Sequence, residues 1–413
     1  TSTVCLRVQI YNFFLSKIIS DEIFFYFCFP NKIMMKNNKI LSPNQIAIER
    51  FKKNTTGVIS LIFIFLCGFV ALFAYFIIPD KTPYANTQIL EISTRKPGFE
   101  VDMLLVPKQN VREKTGFFSQ LMNGKPSPYR QIPIDSLNIE KDKTTVFIYN
   151  PDNNSQNNVE VVLNDDIIPG MTFNNNEEAR CYILNNCVVH RKFVLGTDQF
   201  GRDFLSRLLL GTRISFSVGF IAVFMSILIG ILIGSLGGFF RGKVDDIMVW
   251  LINVVWSIPT LLIVIAITFV LGKGVVQVFI AVGLTMWVEV ARVTRGQILS
   301  VRETTFVEAG RALGFSDARI IIRHIIPNVI NPIIVISAAN FASAILLEAG
   351  LSFLGIGVQP PMPSWGSMIK ENYAYIILND AYLAILPGIA IMLLVLAFML
   401  FGNALRDALD VKK

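Results

Sequence analysis

Histidine, cysteine and charge are all scarce in this chain, and each shortage excludes a class of function. Two histidines and five cysteines, none of them in a C-x-x-C pair, are too few for a Cys/His zinc array or an iron–sulfur cluster. Charged residues make up only 16% of the 413 residues, while 53% are apolar and the mean hydropathy is +0.55. Soluble globular proteins do not have this composition. The sequence predicts a membrane protein, with no metal and no other cofactor.

Six uncharged stretches have about the length that a membrane span requires. A hydrocarbon core about 30 Å thick needs roughly 20 residues of helix. The stretches are residues 54–79, 214–240, 247–272, 274–288, 325–347 and 381–405. The fourth is the weakest, because only 15 residues precede Glu289, and it must extend toward Arg292. Pro259 lies inside the third and is expected to bend it. The fold class predicted is an all-α polytopic membrane protein with six transmembrane helices.

The distribution of lysine and arginine predicts the orientation of these helices. Sixteen lysines and arginines fall in the two tails and in every second short loop. Only Lys273 and Lys370 fall in the short loops on the other side. Because cytoplasmic loops carry the positive excess, both termini are predicted to be cytoplasmic. The net charge of +7 then reflects membrane topology, and no nucleic-acid partner is expected. The long segment 80–200, with 13 basic and 15 acidic residues, is predicted to lie outside.

These observations divide the chain into six predicted parts. Residues 1–33 form a doubtful extension, and translation is expected to begin at Met34 or Met35. The alternative is a signal peptide, although its apolar run ends at Phe29-Pro30 and not at the small residues of a cleavage site. The remaining parts are a cytoplasmic tail (34–56), the first helix (57–79), an extracytoplasmic insertion (80–200), a membrane core (201–402) with an inner loop at about 293–328, and a second tail (403–413).

The insertion is predicted to be rich in β-structure. Short β-like runs at 88–93, 99–106, 144–149 and 159–163 alternate with Asn-rich turns. Cys181 and Cys187 lie in this segment, and sequence alone leaves open whether they form a disulfide or stay as two free thiols. Adding His190 would give three metal ligands, but no fourth candidate is near in sequence, so a metal site is not expected.

The inner loop contains two predicted short helices. The first covers roughly residues 303–313 and ends at Gly314, which suits a left-handed position after a helix. Ser316 can cap the second helix. Small residues such as Ala309 and Gly310 would allow another protein to approach the first helix closely. The pattern alone fits equally well an amphipathic helix that lies among lipid headgroups.

A family resemblance favours the docking interpretation. Glu308-Ala309, followed by Gly314 and then Pro327, resembles the EAA loop of binding-protein-dependent ABC importer permeases. Gly310 stands where that family usually has alanine. In the family this loop is the coupling helix that sits in a groove of the ATPase subunit. The resemblance assigns this role to Glu308, Ala309, Gly310, Arg311, Gly314, Phe315 and Ser316.

Two longer stretches narrow the resemblance to dipeptide and oligopeptide permeases. Residues 195–215 and 348–366 are similar to stretches of those proteins, and together with shorter matches they cover nearly everything from 196 to 413. The resemblance implies the permease that has one helix before the core, in a bacterial inner membrane. It also implies four partners besides the lipid bilayer: a second permease, two ABC ATPase subunits and an extracytoplasmic solute-binding protein. The solute would be a peptide; nickel or another small solute is the alternative within the family.

No catalytic motif accompanies these features. Residues 237–244 match GxxxxGK, but Val244 stands where a Ser or Thr must bind magnesium, so the segment is interpreted as a turn. ATP hydrolysis is therefore expected from separate subunits and the chain is not expected to be an enzyme. A membrane sensor or scaffold is a less favoured class, since the longest inner loop is under 40 residues.

Three polar residues within the spans are candidates for the wall of a transport pathway. Polar side chains are costly in lipid and tend to face the interior of a helix bundle. The candidates are Asn253, Glu289 and Asn340. A packing role remains open for each, because Glu289 can pair with Arg292 and an asparagine can bond to a neighbouring helix.

Overall fold

The computed structural model describes residues 35–36, 39–40, 42–108, 116–140, 142–150, 159–169, 171, 173, 175–378 and 380–410. The doubtful extension at 1–33 lies outside these ranges. The strands are β1 (Met35–Lys36), β2 (Lys39–Ile40), β3 (Phe99–Pro107), β4 (Tyr129–Ile139), β5 (Lys143–Ile148), β6 (Val159–Leu163) and β7 (Val188–Phe193). The helices up to the membrane core are α1 (Pro43–Lys53), α2 (Thr55–Ile77), α3 (Phe117–Asn123), α4 (Asn164–Ile167) and α5 (Asn176–Asn186).

The membrane core is entirely helical within the described residues. Its helices are α6 (Phe204–Phe240), α7 (Gly242–Trp256), α8 (Thr260–Leu271), α9 (Val275–Gly283), α10 (Trp287–Val301), α11 (Thr305–Ala312), α12 (Asp317–Ile320), α13 (Ile326–Leu354), α14 (Trp365–Asn372) and α15 (Tyr382–Leu409). A π-helical turn, Ile321–Ile325, joins α12 to α13 without a break.

Two structural units are present. The smaller contains, of the described residues, those before Thr55 and those after Arg406. In it, Ser42 and Gln45 form a capping box at the start of α1, and Arg50 donates to the Asp410 carbonyl at 2.7 Å. The larger unit, Thr55–Arg406, contains the insertion and most of the membrane core.

Six membrane-crossing segments agree with the sequence prediction. Five helical segments in the described chain are long and apolar enough to span alone: Thr55–Ile77, Phe204–Phe240, Val275–Val301, Asp317–Leu354 and Tyr382–Leu409. The sixth consists of α7 and α8, which meet at an angle of 88°. Pro259 lies in the break between them, so the expected bend is confirmed. The weak fourth stretch becomes part of a longer segment made of α9 and α10.

Close packing in the core joins α6 to α10. A Cβ built on Gly230 would lie 2.5 Å from Cβ of Val290, and one built on Gly234 would lie 2.5 Å from the carbonyl oxygen of Ala291. Only glycine fits at these two positions, because any side chain would overlap the facing helix. Elsewhere in the core, the rings of Phe341 on α13 and Phe398 on α15 stack with centroids 3.9 Å apart.

The insertion folds around a five-stranded antiparallel sheet with strand order β6-β5-β4-β3-β7. One face packs against the 3₁₀ turn Leu90–Ile92, through Val101, Met103 and Phe193. The other face packs against α4 and α5, through residues that include Leu104, Ile132, Val146, Ile167 and Ile183. The sheet is therefore enclosed between a segment that follows the first spanning helix and two helices on its far side.

The strand predictions were partly wrong. Three of the four predicted runs are strands, but residues 88–93 form the 3₁₀ turn, because Ile89 and Ile92 pack onto the sheet from outside it. Two strands, β4 and β7, were not predicted. Pro133 argues against a central strand in sequence. In β4 it lies beside a register shift between Ile134 and Ser136, where its missing N–H is tolerated.

Cys181 and Cys187 are two separate free thiols in this structure. Helical geometry is the reason. Cys181 lies on an exposed face of α5, while Cys187 follows the helix end and is buried against the sheet. Six residues of helix rotate the chain by about 600°, which directs the two side chains to different faces. Burial raises the pKa of the Cys187 thiol.

Candidate functional site

The Glu308 loop, defined here as residues 302–325, ends its first helix in a Schellman motif. The N–H of Phe315 donates to the Gly310 carbonyl at 3.1 Å, and that of Gly314 donates to the Arg311 carbonyl at 2.9 Å. Gly314 has φ of +75°, the left-handed conformation expected for the residue after a helix. Ser316 occupies the N-cap position of α12, although its side chain makes no capping bond. The two short helices and the left-handed turn at Gly314 agree with the prediction, whereas the predicted side-chain cap from Ser316 does not form.

The exposed face of this loop combines small, apolar and charged residues. Val307 and Gly310 point inward, onto a cluster that includes Ile320. Leu313 is 72% exposed, and Glu308, Ala309 and Gly314 are exposed beside it. A Cβ on Gly310 would lie 3.6 Å from Cδ2 of Phe315, an ordinary contact, so the alanine usual in the family would fit. Side-chain bulk on the outward surface is thus low at Ala309 and Gly314, on either side of the exposed Leu313.

Polar contacts brace the Glu308 loop against the end of α6. Arg302 donates to the Phe239 carbonyl, and Arg241 pairs with Glu303 at 2.5 Å. The Arg311 guanidinium lies 5.3 Å from the Phe239 ring centroid. Phe315 stacks on His324 with ring centroids 5.8 Å apart. The contacts of Arg302, Arg241 and Arg311 attach the loop to the end of α6.

A cavity of about 330 Å³ lies among the spanning helices and brings together two of the three predicted pathway residues. Glu289 and Asn340 both line it, with Thr260 and Thr285 and otherwise mainly apolar side chains. Asn340 is buried, and its Nδ2 has no hydrogen-bond partner within the described part of the chain. An unpaired buried donor costs free energy unless water or a ligand satisfies it. The cavity is therefore suited to a hydrated or polar occupant.

Asn253 does not belong to this wall; it is exposed on α7 and does not line the cavity. The alternative pairing of Glu289 with Arg292 does not form either, in the residues that the structure describes. The Arg292 guanidinium lies instead over the Trp256 ring, 3.4 Å from its centroid, in a smaller adjoining cavity that Glu289 also lines.

A buried charge cluster, not anticipated from sequence, lies where the insertion meets α6. The Asp198 cluster consists of Asp198, Arg202, Arg207 and Glu371. Arg202 contacts both carboxylates at 2.6 Å, and Arg207 lies 3.5 Å from each. Two guanidinium groups thus balance two carboxylates. The signal available in sequence was the density of charge in 198–207, immediately before an apolar span.

Neighbouring contacts attach the cluster to the membrane helices. Asp203 caps α6 through Ser206, and burial raises the pKa of the Asp203 carboxyl. The indole Nε1 of Trp365 donates to the Leu208 carbonyl at 2.9 Å. Near the end of α13, the buried Glu348 carboxylate accepts hydrogen bonds from Ser352 at 2.7 Å and Ser215 at 3.3 Å. The two stretches that resembled peptide permeases in sequence are therefore in direct contact.

Two family models match the chain. Residues 226–412 match the binding-protein-dependent transport system inner membrane component, and residues 42–97 match the N-terminal transmembrane domain of oligopeptide transport permease C. The chain belongs to this family of transport permeases. It is thus a multi-pass membrane permease component of a binding-protein-dependent transport system, as the resemblance implied. Most of the insertion lies between the two matched ranges.

Named relatives agree with this membership. The permease is 40% identical over 218 residues to the glutathione transport system permease protein GsiD of Pectobacterium atrosepticum. This match covers 53% of this chain and 72% of that protein. It is 42% identical over 217 residues to GsiD of Escherichia coli O6:K15:H31, covering 52% and 71% respectively. Among solved structures, the MetNI methionine ABC transporter in inward-facing conformations matches with a TM-score of 0.42 and 18% identity, over 51% of this chain and 98% of that one.

Proposed function

We propose that this permease forms half of the translocation pathway of an ATP-driven importer for di- and oligopeptides. The observation that carries the proposal is the polar wall of the intramembrane cavity. An ionisable Glu289 and a buried Asn340 Nδ2 that has no partner among the described residues are unfavourable against lipid, so they favour a wall that faces a hydrated pathway. The relatives that carry a glutathione-transport name support a small peptide as the solute.

Coupling to ATP hydrolysis is assigned to the Glu308 loop. Its small exposed groups and the exposed Leu313 suit a groove on an ATPase subunit, as the EAA resemblance implies. The residues proposed to contact that groove are Glu308, Ala309, Gly310, Arg311, Gly314, Phe315 and Ser316. Of these, Gly310 is buried beneath the surface, where its carbonyl accepts the hydrogen bond from the Phe315 N–H that closes the Schellman turn. The loop then moves the spanning helices when two ATPase subunits close on ATP.

The remaining partners and the topology complete the proposal. A second permease encloses the other half of the pathway, and an extracytoplasmic solute-binding protein delivers the peptide. Residues 80–200 face the extracytoplasmic side of a bacterial inner membrane, and both termini are cytoplasmic. The core extends over 201–402 with the coupling segment at about 293–328. The bias of lysine and arginine toward one set of loops supports this orientation.

The test is uptake by the complete complex in proteoliposomes, with a variant confined to the loop surface. Gly314→Asn keeps a residue that tolerates positive φ, and no neighbouring atom lies within 4 Å of the added Cβ. The new side chain therefore projects only from the exposed face. Peptide uptake and peptide-stimulated ATP hydrolysis are expected to fall strongly, and Gly314→Asp is expected to act similarly.

Gly272→Asn is the matched control, because Gly272 is also exposed, has φ of +88°, and has no atom near its Cβ. It lies between α8 and α9, on the opposite side from the Glu308 loop in the proposed topology. It is expected to retain full uptake. Equal activity of Gly314→Asn and Gly272→Asn would contradict the docking role. If the same complex takes up Ni²⁺ and not peptide, the transported solute is the alternative one, nickel.

A further inference from the structure

The short helix α3 exposes an unusual amount of apolar surface. None of its seven residues is buried, and Phe117, Phe118 and Met122 are all exposed, Phe118 to 79%. A seven-residue helix is not stable alone in water, because helix nucleation is costly. Exposed phenylalanines on so short an element indicate that another apolar phase covers them.

Contacts with two spanning helices fix the level at which α3 lies. The ring of Phe117 lies 5.7 Å, centroid to centroid, from that of Phe76, in the last turn of α2. Arg213 of α6 donates from Nη1 to the carbonyls of Leu121 and Met122, at 3.1 and 3.0 Å. These bonds satisfy carbonyls near the end of α3. The helix is therefore attached where both spans leave the apolar core of the membrane.

The exposed face of α3 continues the apolar surface of α2. That surface is lined by exposed side chains at Ile62, Phe65, Phe69, Leu72, Phe76 and Ile77. The Phe76–Phe117 contact joins this strip to Phe118 without a polar gap. A surface that continues a spanning helix in this way is exposed to the same acyl chains.

Basic residues border this apolar face. Lys81 follows the end of α2, Lys125 follows α3, and the N–H of Lys125 donates to the Lys81 carbonyl at 2.8 Å. Both residues are exposed. Lysines beside an apolar membrane surface extend their ammonium groups to phospholipid phosphates. Charge and hydrophobicity are thus arranged as in a helix that lies in the bilayer surface.

We propose that α3 is an interfacial anchor that inserts Phe117, Phe118 and Met122 among the phospholipid acyl chains of the leaflet beside the insertion, with Lys81 and Lys125 at the phosphates. The occupant of this surface is lipid, because the surface is continuous with the spanning helix α2. The anchor holds residues 116–128, which lead into β4, at the membrane surface.

The test places a probe on α3 in the full chain in nanodiscs. All five native cysteines are replaced by alanine, and Phe118→Cys carries an environment-sensitive fluorophore. Interfacial helices insert about 5–10 Å below the headgroups, so we expect blue-shifted emission. We also expect phospholipids labelled with nitroxide near the headgroup to quench it more than phospholipids labelled at the acyl terminus.

Leu184→Cys is the matched control, since Leu184 is an exposed leucine on α5, which packs on the far face of the sheet. Its probe is expected to show neither the blue shift nor the quenching. Equal quenching at positions 118 and 184 would overturn the proposal. So would protection of position 118 only after the second permease is added, because that result would identify a protein partner.

A measurement on the unmodified chain covers the case in which the cysteine variants fold poorly. A phospholipid with a photoactivatable group near the headgroup is incorporated in the nanodiscs, and labelled peptides are identified by mass spectrometry. We expect the lipid to label residues 117–123 and to leave residues 176–186 without label. Absence of label from 117–123 while the end of α2 is labelled would refute the anchor.

Discussion

Removal of the Arg207 guanidinium is expected to destabilise the permease substantially. Arg207 is 1% exposed and is held between Asp198 and Glu371, with a further bond from Nη1 to the Pro361 carbonyl at 3.3 Å. Arg207→Met keeps the length of the side chain but leaves two carboxylates with a single balancing guanidinium, that of Arg202.

The expected magnitude follows from burial. Breaking a buried ion pair costs about 3–5 kcal/mol, because one charge remains without compensation in a poorly polarisable site. The Glu371 side chain is 15% exposed, so water screens part of the excess charge. The cost for Arg207→Met should therefore lie near the lower end, about 3 kcal/mol. Chemical unfolding in micelles, followed by tryptophan fluorescence, measures it, since Trp365 contacts Leu208 next to the cluster.

A double substitution separates the charge effect from loss of packing. Arg207→Met combined with Glu371→Gln restores neutrality, so the pair should cost about 1–3 kcal/mol less than the sum of the single changes. Arg130→Met removes an exposed pair with Glu160 and should cost only about 0–1 kcal/mol. Additive effects of the two cluster substitutions, or equal costs for Arg207→Met and Arg130→Met, would refute the electrostatic explanation.

Three further predictions concern the Glu308 loop, the cavity and the insertion. Gly310→Ala should raise stability by about 0.5–1 kcal/mol and leave uptake unchanged, since its Cβ meets Phe315 at an ordinary distance; thermal melting and uptake check this. Glu289→Gln should slow peptide uptake about tenfold without altering the melting temperature, because one charged hydrogen bond to the solute is lost. Asp102 raises the pKa of His190 above its ordinary value of 6.5 through a 2.8 Å hydrogen bond. The stabilisation is therefore complete below pH 6.5 and is lost as pH rises through the raised pKa. NMR titration of the two histidines should give a lower pKa for His190 in an Asp102→Asn variant than in the unmodified chain, with Glu100 still raising it.

The sequence predicted those features that depend on short stretches of chain. Each membrane span is defined by its own uncharged run, so six were found, and the bend at Pro259 follows from a single residue. The turn at Gly314 was also predictable, because a glycine after a helical pattern favours the left-handed conformation wherever the rest of the chain lies.

Features that depend on distant residues could not be predicted in the same way. Arg207 and Glu371 are far apart in sequence, and neither alone indicates a buried ion pair. The same limit applies to Ile92, whose apolar neighbours suggested a strand until the sheet that covers it was known. Asn253 and Asn340 look alike in sequence, but only Asn340 faces the cavity, because the rotation of each helix is set by its packing.

One helical segment joins the Glu308 loop to the surroundings of the Asp198 cluster. Asp317–Leu354 is continuous through the π turn, and its 38 residues at ~1.5 Å each extend roughly 57 Å. It begins in the Glu308 loop and ends just beyond Glu348, beside α14, which carries Glu371 of the Asp198 cluster. Because a packed helix moves as a rigid body, a displacement of the loop should reach the cluster directly. Arg207→Met is therefore expected to weaken coupling between ATP hydrolysis and uptake, in addition to stability, although Arg207 lies outside the loop. Normal coupling in this variant, at a temperature where it stays folded, would show that the far end of the segment takes no part in transmission.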